Sequence, residues 1–368
     1  MKRWFARTND ATPNGSGAHM MLPAARTQIA GVAGRPLILA MAAPVSLALA
    51  YAIFAGLISI LSAGAAPTTD ASRRTFNWDR TKYVYAFGDS YTFVQGTEGL
   101  ATFSFIGDAF NFSFTPQELL EDEIVPKSSS SDGSSWTEFL TGCFEGKPSD
   151  CAPHQLWNFA FAGADVDKAL LPLHHNFTVD LVDEVKQWVQ FASHVVPHPA
   201  AETLVAWWIG INDTGDTLNR NLTETEFRAF WEQEMQSLFG AVQNAYDHDL
   251  RGTYLFFNVP PLDRSPDHLG TAIAPKYAQN IRDYNAALAA HTAAFARAHP
   301  DVTVLSFDAH AWFSRVLDTP AQHGFTNITG FCECTDPGFF WFNTGHPTEH
   351  VHRLLAGAIE EQLRAASH

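Results

Sequence analysis

Positive charge is scarce in this chain. Its 368 residues hold 23 Lys and Arg against 39 Asp and Glu, which gives a formal net charge of −16. An acidic protein repels phosphate backbones and anionic headgroups, so we expect neither a nucleic acid nor an anionic membrane surface as a partner. A neutral substrate suits this charge better.

Cysteine is also scarce, with four residues in the chain. A zinc site would need two close pairs, each with roughly two intervening residues, and the spacings here do not match. No other metal-ligand spacing is recognisable, so we expect no metal and no cofactor. In an oxidising compartment four Cys allow three pairings. We favour Cys143 with Cys151, which leaves Cys332 with Cys334, and the alternative is a cross-link between the two pairs.

Internal repeats and a convincing linker are both absent from residues 75–368, so we predict one domain there. Residues 1–35 are rich in Gly, Ala and Thr and are expected to be unstructured. Residues 36–66 contain the uncharged run 37–66, which as a helix would exceed the ~30 Å of a bilayer core. This segment is either a cleaved signal peptide or a membrane anchor. Both alternatives place the following domain outside the cell.

Glycosylation acceptor sites agree with that location. Asn-x-Ser/Thr sequons are typical of surface loops in secreted proteins. The chain has five of them after the apolar run, at Asn111, Asn176, Asn212, Asn221 and Asn327.

Five short apolar segments are predicted strands, because they lack polar alternation and end at turn residues. Segments with helical spacing separate them, and the longest, 224–250, opens with a possible capping box of Thr223 and Glu226. Apolar strands that alternate with helices are typical of a parallel sheet buried on both faces, so we predict a three-layer α/β/α domain. The strands are predicted at 83–87, 157–161, 204–209, 254–259 and 302–307.

Polar and flexible residues follow three of these strands. Gly88-Asp89-Ser90 follows the first, Gly163 lies just beyond the second, and Asn212 follows the third. In open α/β sheets, chemistry collects beyond the carboxyl ends of the strands. A fourth segment delivers His346 just before the last predicted helix.

These four positions predict acyl transfer. Ser90 would be the nucleophile and His346 the general base, because a weak hydroxyl needs a neighbouring imidazole to take its proton. The backbone N–H groups of Ser90 and Gly163, with the side-chain amide of Asn212, would form the oxyanion hole. Because a glycan on Asn212 would block that hole, we expect this sequon to be unmodified.

The order Ser90, Gly163, Asn212 and His346 resembles the four blocks of the GDSL or SGNH hydrolase superfamily. The chain most resembles the fungal acetylesterases of carbohydrate esterase family 16, over roughly residues 80–365. The resemblance implies a flavodoxin-like sheet and a serine esterase without a cofactor. It also implies a small acyl-ester substrate, foremost the acetyl esters of plant cell-wall oligosaccharides.

One position departs from the superfamily. The last block has Asp three residues before its His, and this chain has Asn343. An Asn carbonyl orients the imidazole but supplies no charge, and its amide can hold the wrong tautomer. In a serine protease such a change lowers turnover about ten-thousand-fold. We therefore expect one of three outcomes. The enzyme works as a Ser–His dyad, or a backbone carbonyl or another acid replaces the Asp, with Asp308 and Asp336 as candidate acids, or the protein is impaired or inactive.

Two rival functions remain open. One is a lipase or phospholipase-type acylhydrolase that prefers longer acyl chains. The other is a carbohydrate-binding pseudoenzyme, which Asn343 motivates. Candidate substrate contacts are Asp89, Trp208 and the Phe-rich stretch 103–114, although spaced Phe residues more often pack in the core.

Overall fold

The computed structural model describes residues 76–107 and 113–368. The N-terminal segments 1–35 and 36–66 lie outside these residues, and so does the sequon at Asn111. Within the described ranges, no helix has the length and apolar character needed to span a bilayer.

A parallel sheet of five strands lies at the centre of the described chain. The strands are β1 (Tyr83–Gly88), β2 (Gln155–Asn158), β3 (Thr203–Trp208), β4 (Thr253–Phe257) and β5 (Thr303–Phe307). Their order is β2-β1-β3-β4-β5, which is the flavodoxin-like order. All residues of β1 to β4 are buried, as expected for strands covered on both faces. The predicted α/β/α fold is confirmed.

Helices flank the sheet. The predicted capping box is present, because the Thr223 hydroxyl accepts the Glu226 N–H and the Glu226 carboxylate accepts the Thr223 N–H. The described helices are α1 (Pro116–Glu121), α2 (Trp136–Thr141), α3 (Leu181–Gln187), α4 (Ile211–Asp216), α5 (Glu224–Asp247), α6 (Ala274–Ala298), α7 (Ala309–Asp318) and α8 (Glu349–Ala366). Helix α2 packs on α8, and α5 packs on both α3 and α6.

A small two-stranded sheet precedes the last helix. It consists of β6 (Asn327–Phe331) and β7 (Phe339–Trp341). A disulfide between Cys332 and Cys334 lies in the connection of these strands, and a second disulfide joins Cys143 to Cys151. Of the three pairings that the sequence allowed, the structure contains the favoured one.

Strand β1 lies between β2 and β3, so the chain winds outward in opposite directions on its two sides. Its last residues lie level with the ends of both neighbours, with Ala86 beside Asn158 and Gly88 beside Trp208. A switch point of this kind opens a crevice beyond the carboxyl ends of the strands. The segments that follow β1, β2 and β3 therefore meet at one edge of the sheet.

Candidate active site

The turn after β1 presents Ser90, which keeps 9% of its surface exposed. The turn requires glycine two residues before Ser90. Gly88 has a φ of +150°, and a Cβ there would lie 2.1 Å from the carbonyl oxygen of Trp208. Asp89 is fully buried and its Oδ1 accepts the backbone N–H of Tyr91 at 2.9 Å. The buried Asp89 carboxyl thus stabilises the turn that carries Ser90.

Ser90 is in hydrogen-bond contact with His346. The distance from Ser90 Oγ to His346 Nε2 is 2.8 Å, and His346 Nδ1 lies 3.0 Å from Asn343 Oδ1. The structure therefore brings together three predicted residues in a Ser–His–Asn chain. His346 lies in the loop between β7 and α8, three residues before the helix begins at Glu349.

The side-chain amide of Asn343 has a fixed orientation. Its Oδ1 also accepts the backbone N–H groups of Gly345 at 3.0 Å and of His346 at 2.8 Å. If the amide were rotated by half a turn, its NH₂ group would face these two donors, which is unfavourable. The carbonyl therefore faces the imidazole and holds the proton on Nδ1. This leaves the Nε2 lone pair to accept the proton of Ser90.

Burial lowers the pKa of His346 to about 4. Neither candidate replacement acid counteracts this. Asp308 caps α7 by accepting the Ala311 N–H, and Asp336 accepts the Gly338 N–H. Among the described residues, the partner of His346 Nδ1 is Asn343, in the position where the superfamily has a carboxylate. The imidazole is therefore neutral, and its charged form is poorly stabilised.

Gly163 and Asn212 lie in segments that are bonded to each other. Gly163 has a φ of +85°, and Asn212, in the first turn of α4, donates from Nδ2 to the carbonyl oxygen of Ala164 at 2.8 Å. Gly210 precedes α4 with a φ of +111°, and a Cβ there would lie 2.2 Å from the ring of Tyr284. The bond to Ala164 leaves Asn212 a second amide hydrogen. Both segments follow strands that end beside β1.

Two of the predicted substrate contacts lie in the interior. Trp208 is fully buried, donates from Nε1 to the carbonyl oxygen of Asn258, and stacks on Phe257. Asp89 is equally inaccessible, and burial raises its pKa to about 8. These positions correct the prediction, since a substrate reaches neither side chain.

The Phe-rich stretch 103–114 contributes mainly to the core. Phe105 and Phe114 are buried. Phe103 is half-buried, and its ring packs against Phe161 and Phe177. The two Phe residues at 110 and 112 lie outside the described residues.

Two further residues support the site and were not predicted from the sequence. The Tyr91 hydroxyl donates to the carbonyl oxygen of Gly345 at 2.5 Å, which ties the serine turn to the histidine loop. Glu184 is fully buried, and its carboxylate accepts the N–H groups of Gly88 at 3.0 Å and Phe161 at 3.1 Å. A signal for Glu184 was present: it is an acid on the apolar side of a predicted helix, three residues after Leu181.

One cluster has donor atoms close enough for a metal ion. The donor atoms of Asp165, His174 and Asp216 lie within 4.8 Å of one another. His174 Nε2 is already hydrogen-bonded to Asp216 Oδ2 at 2.9 Å. We therefore describe the cluster by this hydrogen bond and assign no metal to it.

Comparison with known proteins gives matches in sequence and in structure. A family model of GDSL-like lipases and acylhydrolases matches residues 84–359. An acetylesterase from Thermothelomyces thermophilus is 28% identical over 297 residues, which cover 78% of this chain and 89% of that protein.

Solved structures match more weakly. A carbohydrate acetylesterase from Sinorhizobium meliloti is 13% identical with a TM-score of 0.41, covering 77% of this chain and 99% of its own. An acetylxylan esterase from Geobacillus stearothermophilus is also 13% identical with a TM-score of 0.41, covering 79% of this chain and 96% of its own. Structural overlap of this extent carries no information about the substrate.

Proposed function

Because the chain belongs to the GDSL-like lipase/acylhydrolase family, and is thus a carboxylic ester hydrolase, we propose that it removes acetyl groups from carbohydrate esters. The assignment of residues rests on one observation, the 2.8 Å contact between Ser90 Oγ and His346 Nε2. The acetyl group rests on the sequence similarity to an acetylesterase. The sugar rests on the resemblance of the four motifs to the carbohydrate esterases and on the net charge of −16, which suits a neutral substrate.

In the first half of the reaction, Ser90 Oγ attacks the ester carbonyl carbon while its proton passes to His346 Nε2. The carbonyl oxygen becomes an oxyanion, which accepts hydrogen bonds from the Ser90 and Gly163 N–H groups and from Asn212 Nδ2. The tetrahedral intermediate then collapses. The bond to the sugar oxygen breaks, and the His346 proton goes to that oxygen, leaving an acetyl-serine.

Water completes the cycle. His346 Nε2 takes a proton from water as the water oxygen attacks the acetyl carbon, and a second tetrahedral intermediate forms in the same oxyanion hole. Its collapse releases acetic acid and returns the proton to Ser90. Asn343 keeps Nδ1 protonated throughout, so that Nε2 carries every transferred proton.

The low pKa of His346 has a mechanistic consequence. A base with a pKa of about 4 is a weak proton acceptor at neutral pH, which costs rate. It also stays in its basic form in acidic surroundings, where an ordinary imidazole would be protonated. We propose that the enzyme has a lowered kcat at neutral pH and keeps its activity at acidic pH.

We also propose that the enzyme acts outside the cell. Both disulfides fit an oxidising compartment, and so does the apolar segment ahead of the domain.

The experiment compares hydrolysis of 4-nitrophenyl acetate, butyrate and octanoate by the full-length chain, by Ser90→Ala and by the control Ser149→Ala. Ser149 is an exposed serine outside the four motifs of the site. We expect acetate to be preferred, Ser149→Ala to match the wild type, and Ser90→Ala to lose at least about a thousandfold in kcat. Release of acetate from acetylated xylo-oligosaccharides then tests the sugar.

Each alternative has its own outcome. Preference for octanoate would favour the lipase-type acylhydrolase. Full activity in Ser90→Ala would refute the nucleophile. A folded wild type that binds the oligosaccharide without turnover would establish the pseudoenzyme instead.

A further inference from the structure

His174 lies between the two segments that carry Gly163 and Asn212. Its Nε2 bonds to Oδ2 of Asp216, the last residue of α4, at 2.9 Å. The Nδ1 side of its ring lies next to Gly163. A Cβ added to that glycine would be 3.5 Å from His174 Nδ1. The imidazole therefore bridges the loop after β2 and the helix after β3.

Two other hydrogen bonds join the loop after β2 to α4. Asn212 Nδ2 donates to the Ala164 carbonyl oxygen, and the Val166 N–H donates to Asp213 Oδ1, both at 2.8 Å. These two bonds involve the first turn of α4, whereas the bond to His174 holds Asp216 at the end of the helix. Together the bonds attach α4 to the loop at both of its ends.

The titratable groups near His174 are acidic. Asp165 Oδ2, on the same loop, lies 3.8 Å from Nε2, but burial and neighbouring acids raise the pKa of Asp165 to about 10, so it is neutral at pH 7. The acids that raise the pKa of His174 are Asp216 first, then Asp213 on α4 and Asp89 in the turn after β1, and the pKa of Asp89 is itself raised to about 8. The bond to Asp216, followed by these charges, raises the pKa of His174 above its ordinary value although burial lowers it. The surroundings thus favour the imidazolium.

We infer that His174 is a positioning residue, and that its cationic form, paired with Asp216, aligns Gly163 and Asn212 as donors to the oxyanion. The inference rests on the proposed function and adds a residue to it. His174 acts through these two residues rather than on the ester.

Two histidines then limit the reaction at opposite ends of the pH range. His346 must be neutral to accept a proton, so activity falls in acid as this ring is protonated. His174 holds Asp216 more strongly when it is charged, because the neutral ring keeps only the hydrogen bond, so activity falls in alkali as that proton is lost. The product of the two requirements is a bell-shaped pH profile.

The test measures kcat and KM for 4-nitrophenyl acetate from about pH 3 to about pH 9. It uses the full-length wild type, His174→Gln, Asp216→Asn and the control His175→Gln. Glutamine can still donate to Asp216 but carries no charge, so His174→Gln separates the charge from the hydrogen bond. His175 is the adjacent exposed histidine, and its ring contacts Phe103 and Phe177 instead.

We expect His174→Gln to lower kcat about tenfold, to change KM less than about twofold, and to lose the alkaline limb. Asp216→Asn should keep that limb but move it down by about one pH unit, since the opposite charge that favours the imidazolium is gone. His175→Gln should leave both limbs and kcat unchanged.

Three results would count against the inference. If the alkaline limb stays in place in both His174→Gln and Asp216→Asn, His174 does not act through its charge. If a chelator abolishes wild-type activity and zinc restores it only when His174 is present, the cluster holds a metal. If Ser90→Ala retains wild-type turnover, the proposed function fails before His174 is tested.

Discussion

Asn343 Oδ1 accepts the Nδ1–H of His346 at 3.0 Å, in the position where the superfamily has a carboxylate. The danger of an asparagine there is that its NH₂ group turns toward the ring and fixes the wrong tautomer. Two backbone N–H groups, of Gly345 and His346, prevent this by holding the carbonyl oxygen in place. The residue therefore keeps the orienting role of the usual Asp and lacks only its charge.

Asn343→Asp should raise the pKa of His346 from about 4, because a carboxylate in contact with the ring stabilises the imidazolium. The acid limb of kcat/KM should move up by roughly one to three pH units. The kcat at neutral pH should rise by less than about a hundredfold, well below the ten-thousand-fold effect that includes a tautomer change. A pH profile of 4-nitrophenyl acetate hydrolysis measures both effects.

Asn327→Asp is the matched control for this variant. Asn327 Oδ1 also accepts two backbone N–H groups, of Thr329 and Gly330, and bonds neither Ser90 nor His346. It should leave the acid limb unchanged. An Asn343→Asp variant whose acid limb stays near pH 4 would show that the two side chains do not interact in solution.

Tyr91→Phe should lower kcat about tenfold, because it removes the bond from the Tyr91 hydroxyl to the Gly345 carbonyl oxygen that holds the serine turn to the histidine loop. Tyr85→Phe is the control. Its hydroxyl is also buried and donates to the Pro197 carbonyl oxygen, away from the site. Both variants should lose about 1 kcal/mol of unfolding free energy. Equal losses of kcat in the two variants would show a general effect of stability.

Glu234→Gln should make stability less dependent on pH. Glu234 is fully buried, and burial raises its pKa, as do the charge of the nearby Asp213 and the hydrogen bond that the protonated Glu234 donates to it. The folded chain keeps this proton at neutral pH, whereas the unfolded chain loses it near about pH 4.3. The free energy of unfolding of the wild type therefore falls as pH rises above that value, by up to about 1.4 kcal/mol per pH unit for this group.

Urea unfolding at several pH values measures this slope. Glu234→Gln should show a flatter decline and higher stability than the wild type at alkaline pH. Glu232, on the exposed side of the same helix, contacts His291 and stays ionised above its lowered pKa, so Glu232→Gln should keep the wild-type slope at alkaline pH. Parallel curves for Glu234→Gln and the wild type would show that Glu234 is ionised in the folded protein.

The fold was predictable because its strands are buried on both faces and so appear as continuous apolar runs. The run that begins at Tyr83 ends at a glycine turn, and the run that begins at Leu204 ends at Gly210; the structure places both turns at the same edge of the sheet. Local sequence also located the start of α5, because the capping box of Thr223 and Glu226 involves neighbours in the chain.

Long-range contacts were not predictable. Trp208 follows the pattern of a strand end near the site, yet its burial depends on packing against Phe257 from the next strand. The orientation of Asn343 depends on where two N–H groups point, which the sequence does not specify. Asp308 and Asp336 were reasonable candidates for the third catalytic group until their hydrogen bonds to backbone N–H groups were known.

Asn212 should carry no glycan in the active enzyme, although it lies in a sequon. A glycan would replace one amide hydrogen, and the other is committed to Ala164, so none would remain for the oxyanion. Asn176 and Asn221 are exposed sequons and should be occupied. The measurement is peptide mass spectrometry of the chain secreted from a eukaryotic host, with enzymatic removal of glycans in ¹⁸O water to mark each occupied Asn as Asp. Occupied Asn176 and Asn221 serve as the internal control that glycosylation took place. A fully glycosylated Asn212 in a preparation with normal turnover would remove this side chain from the proposed oxyanion hole and leave Ser90 and Gly163 as the donors.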